Sequence, residues 1–195
     1  MSTKRSLGAL PLLYPEPTLL IATYDETGKP NVMTAAWGGI CSSKPVSLAV
    51  SLQPVRWTLK AIQQRKAFTV NIPSAGQVAE MDFVGIVSGK QHDKFTAAGL
   101  TAVKAEKIDA PFIAECPVIL ECSLSQTVEL GMHTMLIGEI LDVKADENCL
   151  DATGSYPDIQ KVSPIIFDAG SKNYYGIGQL LGKGWNIGKK FLKQE

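Results

Sequence analysis

Two runs past the middle of the chain, Val118 to Leu130 and His133 to Val143, most constrain what it can fold into. Both read as long strands, joined near Gly131, and both carry apolar residues on alternate and on intervening positions. In the second, His133, Met135, Ile137, Leu141 and Val143 fall on one face, while Met132, Leu136 and Ile140 fall on the other, because side chains alternate along a strand. A strand apolar on both faces must be covered on both. With so few helical segments elsewhere, the outer cover is expected to be a second subunit, which makes the chain a homodimer.

The rest of the sequence agrees with a mainly β chain. Thr18 to Tyr24 is a β-branched apolar run, and Asp25-Glu26-Thr27-Gly28-Lys29-Pro30 has the composition of a hairpin turn, so Asn31 opens the return strand. That strand, Asn31 to Gly38, places a polar head, a hydroxyl and an indole in succession. It reads either as a ligand platform or as a half-buried strand with Trp37 in the core. Val46 to Leu52 alternates strictly, with large residues on one face and Ser47, Ala49 and Ser51 on the other. The small face makes a shallow floor for a flat ligand or for a packed helix.

Gln53-Pro54 ends that strand, and Val55 to Arg65 has helical spacing with Pro54 at a first helical position. Free N–H groups at a helix start attract anions, and Arg56 and Thr58 in the expected first turn add a cation and a hydroxyl. An arginine opposes the helix dipole there unless an anion offsets it. Ala67 to Ile72 is the next strand and Ala75 to Val87 the next helix. A turn at Ser88-Gly89 follows, flanked by Lys90 and Lys94, and reads as a second arm of an anion cradle or as a solvated loop. Residues 146–164 read as loop.

A chain of 195 residues fits one domain, 1–195, in which roughly 70% of the unfolded surface can be buried. Net charge is zero, with 19 basic and 19 acidic residues interspersed, which gives no footprint for nucleic acid or an anionic membrane. Pro11 interrupts the short apolar run after Lys4-Arg5, against a signal peptide, and no later run reaches a membrane span. Cys41, Cys116, Cys122 and Cys149 form no CxxC pair and stand beside no histidine, so buried or inert thiols, no metal site and a cytoplasmic location are expected. The tail Tyr175-Gly176-Ile177-Gly178-Gln179-Leu180-Leu181 lacks the third glycine of a dinucleotide fingerprint, and there is no phosphate-binding GxxxxGK[ST] loop or GxSxG elbow.

Taken in order, Asn31 to Trp37, Ser47 to Leu52 with Arg56 and Thr58, Phe68 to Pro73, Ser88-Gly89 with Asp93-Lys94-Phe95, His133 to Ile140 and Tyr175 to Gly182 resemble the flavin reductase-like FMN-binding split-barrel family, its flavoredoxin branch most of all. The resemblance implies a six-stranded Greek-key split β-barrel with a few flanking helices, dimeric, with FMN held non-covalently near the subunit interface. The tail from about 165 to 195 would pack on the barrel or on the partner subunit. Carried onto this sequence, Asn31, Met33, Thr34, Ala35 and Trp37, with the backbone of Ala49, Val50 and Ser51, would flank the flavin ring. Arg56, Thr58, Ser88, Gly89 and Lys94 would hold its phosphate. His133 is similar to a family histidine beside the flavin and the nicotinamide; it reads equally as a hydrogen-bonded barrel residue. The implied function is hydride transfer from NADH or NADPH to FMN, the alternative being an electron carrier reduced by a redox partner protein. Related barrels that hold haem or pyridoxal phosphate supply a third reading.

Overall fold

The computed structural model describes residues 3–192. Twelve strands follow in chain order: β1 (Glu16–Pro17), β2 (Leu19–Tyr24), β3 (Pro30–Ala35), β4 (Gly38–Ser43), β5 (Val46–Leu52), β6 (Ala67–Ile72), β7 (Ala102–Lys104), β8 (Pro111–Ile113), β9 (Val118–Leu130), β10 (His133–Ala145), β11 (Ile166–Asp168) and β12 (Asn173–Tyr175). The α-helices are α1 (Trp57–Arg65), α2 (Val78–Ile86), α3 (Lys94–Ala98) and α4 (Ile159–Val162). Seven strands form one antiparallel sheet in the order β3-β2-β6-β9-β10-β5-β4, β7 pairs with β8, and β1, β11 and β12 make a small third sheet.

The main sheet has seven strands where six were expected. Its first and last members, β3 and β4, are neighbours in sequence, separated only by Ala36 and Trp37. They are the two halves of one bent strand, the first paired with β2 and the second with β5. Counted that way, six staves close on themselves, and the sheet is a split barrel. Asn31 to Gly38 is therefore not one straight strand: the chain bends at Ala36–Trp37.

The β2–β3 hairpin is built by its turn chemistry. Asp25 Oδ1 accepts from the backbone of Thr27 at 2.8 Å and of Lys29 at 2.9 Å, and Gly28 takes a φ of +84° that only glycine adopts without strain. The alternation of β2 then feeds two cores. Leu19 and Ile21 point into the barrel with Met33, Val50, Phe68 and Leu136, and Leu20 and Ala22 point outward beneath Met81, Val84, Phe95 and Ile113. Within the outer core the buried Asn71 ties β2 to β8: its Nδ2 donates to Leu20 O at 3.0 Å while its Oδ1 accepts from Ile113 N at 2.8 Å.

Three segments depart from expectation for local reasons. The first helix starts at Trp57, not at Val55: Pro54 and Val55 lie in a turn closed by Arg56 N donating to Gln53 O. Residues Ala75–Gln77 are a 3-10 turn sealed by the reciprocal Ser74–Gln77 capping box before α2 begins. The stretch 146–164 contains a 3-10 turn and α4, the latter capped by Asp158, which accepts from Gln160 N. The long strands match, with register shifts at Ile137/Gly138 and Ile140/Asp142. Met132 sits in the turn between them rather than on a strand face, and it, Leu130, Leu141 and Val143 are exposed.

Candidate functional site

The bend between β3 and β4 positions the site. Ser51 N donates to Trp37 O at 2.9 Å, which fastens the corner to β5. The indole lies half out of the barrel against the His133 ring at the start of β10, centroids 4.7 Å apart and planes tilted by 39°. Beneath the pair, Leu48, Val50 and Leu52 fill the core, leaving Ala49 and Ser51 facing outward. A cavity of about 220 Å³ results, walled by Met33, Thr34, Ala35, Trp37, Ser51 and His133 and bounded by Gln53 and Arg56.

A second cavity, of about 180 Å³, opens at the start of α1, between that helix and the loop after α2. Arg56, Trp57, Thr58, Ser88, Gly89 and Lys94 line it, and Met33 and Arg56 are walls of both cavities. Arg56 is the N-cap of α1 in extended conformation; no side chain caps the helix and no acid stands in its first turn, so its leading N–H groups are left for a ligand. The expected first-turn arginine is thus one residue outside the helix. Among the described residues neither Arg56 nor Lys94 has a carboxylate partner.

Lys94 is buried by the packing of α3 on β3, and its ammonium donates to Val32 O at 2.8 Å and Val84 O at 2.7 Å. Burial, then the charge of Arg56, pushes its pKa down to about 8. A cation held at this cost beside a second cation and an uncapped helix start makes the pocket electropositive. Around the rim, Lys90 lies over the Trp57 ring at 5.0 Å, and Lys29 pairs with Asp93 at 3.1 Å.

The remaining sequence-derived residues divide by what their side chains touch. Asn31 is buried and its Nδ2 donates to Thr58 Oγ1 at 2.9 Å, so it orients the hydroxyl that lines the second cavity. Thr34 donates to Met81 O at 2.5 Å and so binds β3 to α2. Val50 points into the core, and only its backbone is available to the site. Gly89 packs so closely on Asn31 that a β-carbon there would collide with Asn31 Oδ1. The substitution Gly89→Ala should therefore displace Asn31 from Thr58 and lower stability by about 1–3 kcal/mol, read as a fall in Tm.

Trp57, Gly85, Ile86 and Val87 also line the second cavity. Trp57 has the helical spacing of a core residue, as Leu59 and Ile62 are, and nothing in the periodicity separates it from them. A third cavity, of about 580 Å³, lies on the other side of Trp37, among Leu12, Leu13, Ile40, Cys41, Ala49 and Ser51. Cys116 and Cys122 are buried, their thiols pushed up to about 12 by that burial, whereas Cys41 is exposed and Cys149 half-buried. Among the described residues no three His, Cys, Asp or Glu side chains come together as a metal site, and no helix is long and apolar enough to cross a membrane.

Comparison with known proteins agrees with this geometry. Residues 12–162 match the family model described as the flavin reductase like domain. Flavoredoxin of Desulfovibrio vulgaris (Miyazaki F) superposes with a TM-score of 0.91 at 48% identity, covering 96% of this chain and 100% of that one. Flavoredoxin from Methanosarcina acetivorans gives 0.90 at 29% identity, over 97% and 99%. An Archaeoglobus fulgidus protein named ferric-chelate reductase (NAD(P)H) is 25% identical over 127 residues, 65% of this chain and 74% of that protein. The bent-strand barrel, the cavities at its seam and these matches lead to one assignment: the chain belongs to the flavin reductase like family and stands beside its flavoredoxins.

Proposed function

We propose that the two joined cavities hold FMN and that the protein is an NAD(P)H-dependent flavin oxidoreductase. The observation that carries the reading is the pair of shared walls, Met33 and Arg56. They join a flat, open recess floored by small residues to an electropositive pocket at a helix start, in the order in which a flavin ring and its phosphate follow one another. The residues fit the group. Arg56, Lys94, the leading N–H groups of α1, Thr58 and the Ser88-Gly89 turn would hold the phosphate. The backbone of Met33, Ala35, Ala49, Val50 and Ser51 would border the ring, with Thr34 and Trp37 at its edge.

When bound, FMN supplies the hydride and single-electron chemistry. The chain's own task is to bind, orient and shield. The Trp37–His133 pair borders the recess, and on this reading the His133 imidazole would meet an incoming nicotinamide or donate a hydrogen bond to the flavin edge. A second subunit belongs to this reading, because Leu130, Met132, Leu141 and Val143 are apolar and exposed.

The 48% identity to a flavoredoxin favours a second reading, an electron carrier reduced by a protein donor. Anaerobic titration separates the two. The purified protein should be yellow with the oxidised-flavin band near 450 nm, and NADH or NADPH at millimolar concentration should bleach that band. If only reduced ferredoxin or a similar carrier bleaches it, the nicotinamide reading fails, and a Soret band in place of the flavin band would remove FMN itself.

A further inference from the structure

We propose that a fourth cavity, of about 520 Å³ between β1 and α4, is a second ligand site that takes an apolar primary amine in its protonated form, the ammonium meeting Glu16 and Thr18 and the hydrocarbon filling the space beside α4. It shares no wall with the two cavities assigned to FMN, so the proposal does not rest on that reading.

The size is that of a site for a small organic ligand, and the lining is almost wholly hydrocarbon. Leu19, Ile72 and Val118, at the ends of β2, β6 and β9, line it together with the buried Val162 and Ile165, and Tyr156 and Ile159 stand exposed at its rim. The tail supplies the half-buried Ile177 as a further wall, fixed there by Gln160 Nε2 donating to Gly178 O at 3.1 Å.

Two polar groups interrupt this lining. Glu16 is 4% exposed and Thr18 3%, and Glu16 Oε2 and Thr18 Oγ1 are buried without a hydrogen-bond partner. Atoms in that state carry a desolvation penalty that a ligand can relieve. Pro15, Glu16 and Pro17 form the partition from the cleft beside Trp37, and the Trp37 indole approaches the Glu16 carboxylate from that side. Burial pushes the pKa of Glu16 up, the indole offsets part of the rise, and the nearby Asp168 carboxylate adds to it. Among the described residues no Lys, Arg or His lines the cavity or pairs with Glu16.

These features define the missing partner. Two carboxylates with no cation beside them attract positive charge, and the walls require an apolar body. A hard metal ion needs more oxygen ligands than one carboxylate and one hydroxyl supply. A guanidinium would bring five N–H donors into a lining with two open acceptors. An ammonium on an alkyl or arylalkyl body satisfies both the acceptors and the walls.

The test is calorimetric titration of the full chain with phenylbutylamine, phenylbutanol and phenylbutyrate. One amine should bind per chain, about tenfold or more tightly than the alcohol, and the acid should not bind. Glu16→Gln should weaken the amine by about tenfold or more and leave the alcohol unchanged, with a thermal melt reporting that the variant is folded. Ile177→Trp, which fills the cavity from its tail side, should abolish binding of both. Equal affinity for amine and alcohol, amine binding that survives either substitution, or loss of the flavin band near 450 nm as the amine is added would each overturn the proposal. Should Glu16→Gln fail to fold, the comparison of amine with alcohol and the Ile177→Trp variant decide it. A protein that purifies without flavin yet binds the amine counts against the cofactor reading and not against this site.

Discussion

Arg56→Ala should lower FMN affinity by about 1.5–3 kcal/mol, roughly 10- to 150-fold, and leave the melting temperature of the ligand-free protein unchanged. The two halves of the expectation have separate causes. The guanidinium belongs to both cavities, at the start of a helix with no other cap and no acid to offset the dipole, so a phosphate there loses its one forked donor. The side chain is exposed and makes no ion pair among the described residues, so the fold does not depend on it. Fluorescence quenching of FMN on titration with protein measures the first half and a thermal melt the second. Unchanged FMN affinity would return Arg56 to the solvated surface.

FMN binding should weaken as pH rises above about 8, by up to tenfold per pH unit. Lys94 is the reason. In the ligand-free protein burial brings its pKa down to about 8, and a phosphate beside it moves the value back upward. Between those two values the complex holds a proton that the free protein has released. Binding then takes up protons, and each rise in pH opposes it. The same depressed value makes a distinct statement about the fold. Between pH 8 and the ordinary lysine range the unfolded chain holds more protons than the native one, so this residue's contribution to ligand-free stability grows as pH rises through that window and is least below it. Lys94→Met should flatten the pH dependence of FMN affinity above pH 8. A slope that persists in the variant would assign the titration to another group.

What the sequence conveys about this fold follows the range over which each signal acts. The strand limits of Val46–Leu52 and Ala67–Ile72 are legible to the residue, because period-two alternation and the bounding Pro45, Pro54 and Pro73 are local. The bend at Ala36–Trp37 is not. Nothing in Met33-Thr34-Ala35-Ala36-Trp37-Gly38 breaks a strand, and the turn is imposed by β2 on one side and β5 on the other, which pair with its two halves. The anion pocket is legible in its parts, Arg56, Ser88-Gly89 and Lys94, yet the burial of Lys94 depends on two carbonyls, of Val32 and Val84, that no spacing rule connects to it. Trp57 was hidden for a related reason: a cavity-lining and a core tryptophan have the same helical period.

The bend carries a mechanical consequence. A hoop whose first and last staves are one strand has no independent clasp, and here the joint is a single corner of two residues fastened by Ser51 N to Trp37 O. A ligand in the recess between Met33 and Ser51 would span that joint from the β3 side to the β5 side, so its binding is expected to stabilise the cylinder at this corner as well as fill the recess.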